Sequence, residues 1–257
     1  MVLPSIGWGS SAAIGLCFWA CTLGFATAYA AETTVVVAAN FIEPMRAVVA
    51  GFEKSSGHTV KVSTGATGKL YAQIINGAPF DVLLAADAAT PAKLVAGQQA
   101  VAGSAFTYAI GKLALWSARA DVINGSADVL KRGDYRYVAI ANPKLAPYGQ
   151  AAVATLAALG IEIPPSKVVT GENIGQTHRF IQTGNAELGF VALSQVWKDG
   201  KFSSGSGWII PDNLHAPIRQ DAVLLAQGRD NPAAIALLAY LKTPVVRTVI
   251  VRYGYGD

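Results

Sequence analysis

Val35-Val36-Val37-Ala38-Ala39-Asn40-Phe41-Ile42-Glu43-Pro44-Met45 opens as an apolar run, meets one polar residue at Asn40, and continues with apolar residues at helical spacing. An uninterrupted Val/Ala run of this length reads as a strand buried on both faces. Behind it Phe41, Ile42, Met45, Val48, Val49 and Phe52 recur at three- and four-residue intervals up to Gly57, as in a helix packed on that strand. The unit strand, polar junction, helix then repeats. Val60 to Ser63 is a strand, Thr64-Gly65-Ala66-Thr67-Gly68 a junction, and Leu70, Tyr71, Ile74 and Ile75 one face of a helix. Asp81 to Ala86 is another strand, and Pro91 to Gly97 a short helix.

Phe106 to Trp116 reads as one long strand, after which the same order returns. Tyr137 to Ala141 is a strand, residues 142–149 a loop, and Gln150 to Leu159 a helix; Lys167 to Thr170 is a strand, residues 171–175 a loop, and Gln176 to Thr183 a helix. Leu188 to Leu193 and Asp221 to Ala226 are further strands, and two helices near Asn231 to Leu241 and Pro244 to Val251 close the chain. The pattern predicts an α/β fold of two lobes, each a mixed sheet flanked by helices, with a cleft between them. The expected division is residues 31–111 with 219–257 for the first lobe and 112–218 for the second.

Composition narrows the function. The 257 residues are 52% hydrophobic and only 14% charged, with a net charge of +4. The positive excess favours a small anionic ligand, and the scattered Lys and Arg argue against nucleic acid. Residues Ile14 to Ala30 form an apolar stretch ending Ala28-Tyr29-Ala30, the pattern of a secretory signal peptide over residues 1–30, although no Lys or Arg precedes it. The mature chain is then expected to start at Ala31. Cys17 and Cys21 leave with the leader, so the mature protein has neither a disulfide nor a thiolate metal site. No later stretch reads as a membrane span, which predicts an exported, soluble product.

In open α/β sheets ligands lie beyond the carboxyl ends of the strands, where helix N-termini bring unpaired N–H groups and a partial positive charge. Asn40, Thr67, Tyr148 and Ile174 each stand at such a junction. Together they offer an amide, two hydroxyls and main-chain N–H groups to an oxyanion without a counter-charge. Read singly, Asn40 and Thr67 fit helix N-caps equally well, Tyr148 a surface turn, and Ile174 a core position. Competing chemistries fare worse. Gly65-Ala66-Thr67-Gly68-Lys69-Leu70 lacks the first Gly and the final hydroxyl of a nucleotide phosphate loop, with Ser63 and Leu70 in those places. His58, His178 and His215 have no metal-ligand spacing and read as surface residues. Asp81, Asp87 and Glu187 are not paired as acid and base, and read as helix caps or braces.

Seven stretches carry a family resemblance: Val37-Ala-Ala-Asn-Phe41, Ser63-Thr-Gly-Ala-Thr-Gly-Lys-Leu-Tyr-Ala-Gln-Ile74, Gly77-Ala-Pro-Phe-Asp-Val-Leu-Leu-Ala-Ala-Asp87, Phe106-Thr-Tyr-Ala-Ile-Gly-Lys-Leu-Ala-Leu-Trp-Ser117, Asn142-Pro-Lys-Leu-Ala-Pro-Tyr-Gly149, Gly184-Asn-Ala-Glu-Leu-Gly-Phe-Val-Ala-Leu193 and Leu241-Lys-Thr-Pro-Val-Val-Arg-Thr-Val-Ile-Val-Arg-Tyr-Gly-Tyr255. In this order, over essentially the whole mature chain, the sequence resembles the periplasmic molybdate-binding proteins of ABC transporters. The resemblance implies a type II periplasmic binding fold and a receptor, not an enzyme. Such a receptor captures molybdate, with tungstate as a second ligand, and hands it to a membrane permease with its cytoplasmic ATPase. It further implies a periplasmic monomer without cofactor, in which molybdenum enters only as the oxyanion and has no direct protein ligand.

The family's oxyanion contacts fall on Asn40, Thr67, Tyr148 and the main chain of Ile174, with Ala39 and Ala66 adding main-chain contacts. A tyrosine that some members carry after the fourth helix is Ala192 here, and the Tyr148 hydroxyl is expected to replace it from the opposite side. A receptor for sulfate or another small oxyanion is the alternative. An extracytoplasmic enzyme or a sensor on the same scaffold ranks below both.

Overall fold

A computed structural model describes residues 1–4 and 30–256 of the protein. Cys17, Cys21 and residues 14–29 of the signal-peptide reading lie outside the described residues. Among those described, no single helix is long and apolar enough to cross a membrane.

The first half runs β1 (Glu32–Ala38), a 3-10 turn (Ala39–Phe41), α1 (Ile42–Ser56), β2 (Thr59–Gly65), α2 (Thr67–Ile75), β3 (Val82–Leu84), α3 (Ala89–Ala96) and β4 (Phe106–Gly111). The second runs β5 (Leu113–Ser117), α4 (Asp128–Arg132), β6 (Val138–Ala141), α5 (Pro147–Ala158), β7 (Val168–Gly171), α6 (Ile174–Gln182) and β8 (Leu188–Ala192). A short hairpin, β9 (Trp197–Lys198) and β10 (Lys201–Phe202), leads to β11 (Ser206–Ile209) and then β12 (Ile218–Leu224). The helices α7 (Pro232–Leu241) and α8 (Pro244–Arg252) finish the fold.

Two five-stranded sheets result, in the orders β2-β1-β3-β12-β4 and β11-β5-β8-β6-β7. β1, β2 and β3 are parallel, as are β7, β6 and β8, while β12, β4, β5 and β11 add antiparallel pairings. The mixed sheets with flanking helices are those expected. The reason is visible in β1, where Val35 and Val37 pack toward α1, α7 and α8 while Val36 packs toward α2 and α3. With both faces covered, every residue from Val35 to Ala38 is buried and polar alternation is not needed. Gly57 ends α1 in the left-handed region at φ 73°, its N–H closing on Glu53 O.

The segment read as one strand from Phe106 to Trp116 is in fact two, which belong to different sheets. The chain leaves the first sheet after Gly111 and enters the second at Leu113; it returns over residues 210–217. These are the only two passages between the sheets in the described chain. Three elements had no sequence signal strong enough to register: α4, the β9–β10 hairpin, and β11, whose first residues sit in a Ser/Gly-rich stretch. Conversely, α5 begins at Pro147, which places Tyr148 in a helix and not in a loop.

Candidate functional site

Four strands end toward a common region. β1 and β2, neighbours in the first sheet, lead into the turns that carry Asn40 and Thr67; β6 and β7, neighbours in the second, lead to Tyr148 and Ile174. All four residues, with Ala39 and Ala66, line one small cavity of about 10 Å³ between the sheets. Its remaining walls are Ala38, Gly65, Ala86, Ala146, Pro147 and Asn173, so no charged side chain contributes. Larger open grooves flank it on either side, one bounded by Asp87, Gln150 and Arg219 and the other by Glu43, Arg46 and Arg179. The first groove also reaches the N-termini of α3 and α5 and the second those of α1 and α6, but neither is lined by more than one of the four junction residues.

The junction residues also put main-chain donors here. The N–H groups of Asn40, Thr67, Tyr148 and Ile174 lie in the first turns of their helices, ahead of any intrahelical acceptor. The 3-10 turn, α2 and α5 have no side-chain cap. In α6 the Asn173 side chain accepts from Gln176 N at 2.9 Å, leaving Ile174 N–H outside that cap. Asn40 and Thr67 are therefore not N-caps: that place is held by Ala38 in one case and Ala66 in the other.

Each side chain has a partner that fixes it. Thr67 Oγ1 accepts from Ala86 N at 3.0 Å, which uses a lone pair and leaves the hydroxyl hydrogen to point elsewhere. Asn40 Nδ2 donates to Gln220 Oε1 at 2.8 Å and to Tyr255 Oη at 2.9 Å. Asn40 O accepts from Ser194 Oγ at 2.8 Å, a bond from the second half of the fold to the first. Tyr148 is 1% exposed, not the surface residue its Pro-Tyr-Gly context suggests, and its hydroxyl accepts from Gln220 Nε2 at 2.9 Å. Burial, reinforced by the neighbouring Tyr255, pushes the Tyr148 phenol well above its ordinary pKa, so it stays neutral. Tyr108 is shifted the same way, by burial first and then by the nearby Tyr255, Tyr148, Asp221 and Asp87.

The hub, Gln220, was missed because its strand was read as starting at Asp221. Its signal is nonetheless in the sequence: Ile218, Gln220 and Ala222 alternate inward along β12, and a fully buried glutamine in that phase needs partners. It has Asn40, Tyr148 and Tyr108, the last donating to Oε1 at 2.9 Å. The pairing of β12 with β4 is irregular between Gln220 and Asp221, which leaves Tyr108 without a Cα partner. Such bulges re-aim side chains beside functional sites.

The other candidates are structural. Asp81 accepts from Thr34 N, Thr33 Oγ1 and Asn231 Nδ2; Asp87, just ahead of the α3 N-cap Ala88, accepts from Thr90 N in the first turn; Glu187 pairs with Arg136. His178, read as a surface residue, is instead partly buried against Trp116 with ring centroids 5.1 Å apart, and burial lowers its pKa. Ala192 lies in the second core and lends its N–H to Gln195 Oε1 at 3.0 Å.

Known proteins resemble this chain in sequence and in fold. Residues 33–256 match the family model of the bacterial extracellular solute-binding proteins. The molybdate-binding protein ModA of Azotobacter vinelandii is 57% identical over 89% of this chain and 91% of its own length; that of Rhodobacter capsulatus is 49% identical over 89% of each. The solved periplasmic molybdate-binding protein of Azotobacter vinelandii superposes with a TM-score of 0.85 at 38% identity, over 88% of this chain and 99% of that one. On the match along nearly its whole described length, the chain belongs to the bacterial extracellular solute-binding proteins, in their ModA family.

Proposed function

We propose that this chain is an extracytoplasmic receptor that binds molybdate, accepts tungstate, and delivers the anion to an ABC permease. The observation that carries it is the convergence of four strand-to-helix junctions, two from each sheet, on one uncharged space. An oxyanion between them meets helix N-termini, the Thr67 hydroxyl and the Asn40 amide, with Ala39 and Ala66 holding the backbone close. Each hydrogen bond to a charged acceptor is worth about 1.5–3 kcal/mol net, so a handful gives tight binding without a buried cation. A neutral site also releases its ligand more readily than one neutralised by Arg or Lys. The names of the relatives, which are molybdate-binding proteins, support the choice of anion.

Function by capture in an open cleft, closure about the two passages between the sheets, and presentation to the permease follows from the same reading. The lobes then comprise residues 31–111 with 219–257, and 112–218, and the protein works as a monomer in the periplasm after removal of a leader. No catalytic group is assigned. Calorimetric titration of the purified protein with molybdate, tungstate and sulfate tests the reading. Molybdate and tungstate should bind tightly and sulfate weakly; preferential binding of sulfate would replace it with a sulfate receptor.

A further inference from the structure

Asn40 and Gln220 are buried, and their side-chain amides face each other. Both hydrogens of Asn40 Nδ2 are spent inside the protein, one on Gln220 Oε1 and one on Tyr255 Oη. At the other corner of the same amide, Oδ1 is buried with no hydrogen-bond partner among the described residues. An amide whose unused corner is an acceptor has nothing to offer an oxyanion, and a buried acceptor without a donor is itself a cost.

Half a turn of a side-chain amide exchanges its donor and acceptor corners and leaves its shape unchanged. Turned alone, Asn40 would set its oxygen against Gln220 Oε1 at 2.8 Å with no hydrogen between them. Gln220 turned alone would set two NH₂ groups together. Turned as a pair, the contacts of the two amides all keep a hydrogen. One hydrogen is redirected: that of Tyr255, which otherwise goes to Asn40 O at 3.0 Å or Ser194 Oγ at 3.1 Å. Gln220 Nε2 then donates to Asn40 Oδ1 and to Tyr108 Oη, and Tyr108 keeps its own hydrogen for Ala85 O at 3.0 Å. Tyr255 Oη donates to Asn40 Oδ1, while Tyr148 Oη donates to Gln220 Oε1. The orphaned oxygen disappears, and Asn40 Nδ2 occupies its corner with both hydrogens free.

We infer that Gln220 is a positioning residue for anion binding: its amide and that of Asn40 turn over together, and the bound orientation presents Asn40 Nδ2 to the ligand. The inference rests on the oxyanion-receptor reading above. It assigns the Tyr148 hydroxyl to holding Gln220, so that Asn40 and Tyr148 do not both donate side-chain hydrogens to the anion. Because Tyr148 and Ser194 come from the second half of the chain, the one bonded to Gln220 and the other donating to Asn40 O, the turned network forms only with the lobes together.

The test is a double-mutant cycle in molybdate affinity, by calorimetry, with wild type, Gln220→Met, Asn40→Ala and the pair. Gln220→Met should weaken binding roughly ten- to a hundredfold, and should add nothing once Asn40 is Ala. A Gln220→Met protein within about twofold of wild type, or additive losses in the double variant, overturns the inference. Side-chain amide NMR of the wild type gives a second reading that needs no variant. On addition of molybdate the Asn40 and Gln220 NH₂ signals should move together; an Asn40 shift with Gln220 unmoved also overturns it. A wild type that binds none of molybdate, tungstate and sulfate would instead overturn the receptor reading beneath it.

Discussion

Lys69 Nζ lies 2.5 Å from Glu172 Oε2, joining the first turn of α2 to the loop before α6 across the cleft. Beside this ion pair Gly68 N donates to Leu145 O at 3.0 Å, again from one half of the fold to the other. Both charged side chains are nearly half exposed, at 49% and 46%. Water therefore screens the pair, and exposed pairs of this kind contribute about 0–1 kcal/mol. Lys69→Ala should weaken molybdate binding by no more than about fivefold, and the small loss should shrink further in high salt. A loss of a hundredfold or more in calorimetry would mean that Lys69 neutralises the ligand directly, and the site would no longer be one of neutral donors.

Gly111, the last residue of β4, gives a sharper steric prediction. A Cβ built there would overlap Tyr148 Oη and Gln220 Nε2. Neither atom is the loose end of an exposed chain, since both belong to the buried network. Gly111→Ala should cost about 1–3 kcal/mol of stability by overpacking and should weaken anion binding as well, because the strained atoms hold Asn40. Thermal unfolding and calorimetry on one variant check both; an unchanged midpoint would show that the network has slack.

Thr67 separates two roles by a conservative pair of changes. Thr67→Val keeps the shape but removes both the acceptor for Ala86 N and the hydroxyl hydrogen. It should destabilise the fold by about 1–3 kcal/mol, through an unpaired buried N–H, and also weaken oxyanion binding. Thr67→Ser retains the hydroxyl and should restore affinity to near wild type. If the Val variant binds as tightly as the Ser variant, the hydroxyl serves only the fold.

Much of this is legible in the sequence alone. Val35 to Val37 announced a strand buried on both faces, and the repeated strand, junction and helix units placed Asn40, Thr67, Tyr148 and Ile174 at equivalent positions. Local patterns could not show that Gly111 and Leu113 belong to different sheets, since an apolar strand looks the same on either side of a crossing. Tyr148 looked exposed because Pro-Tyr-Gly is turn chemistry, and its burial comes from packing against the other half of the chain. The partnership of Gln220, Tyr255 and Tyr108 is hidden for a related reason, although the inward alternation of β12 marks Gln220 as a buried polar residue. Gln220 and Tyr255 meet Asn40 from 180 and 215 residues away, and Tyr108 is joined to it through Gln220, by contacts that leave no periodicity behind.

The buried tyrosines set a last expectation, for alkaline pH. Burial raises the phenol pKa of Tyr148 and Tyr108 well above the ordinary 10.0, so the folded state holds protons that the unfolded chain releases. A raised folded-state pKa contributes stability that is complete below the unfolded value and is lost as pH climbs past it. Stability should thus be insensitive to these groups up to about pH 10 and fall above it. Anion affinity should stay level over the same lower range, as no tyrosinate forms beside the ligand. Unfolding midpoints measured from neutral to strongly alkaline pH, with tyrosinate absorbance followed in parallel, provide the check. Tyr148→Phe should make the alkaline fall shallower, because one such group is gone. Should full tyrosinate absorbance develop while the protein remains folded, the hydroxyls are not sealed in the network, and the coupling of Tyr148 to Gln220 fails with them.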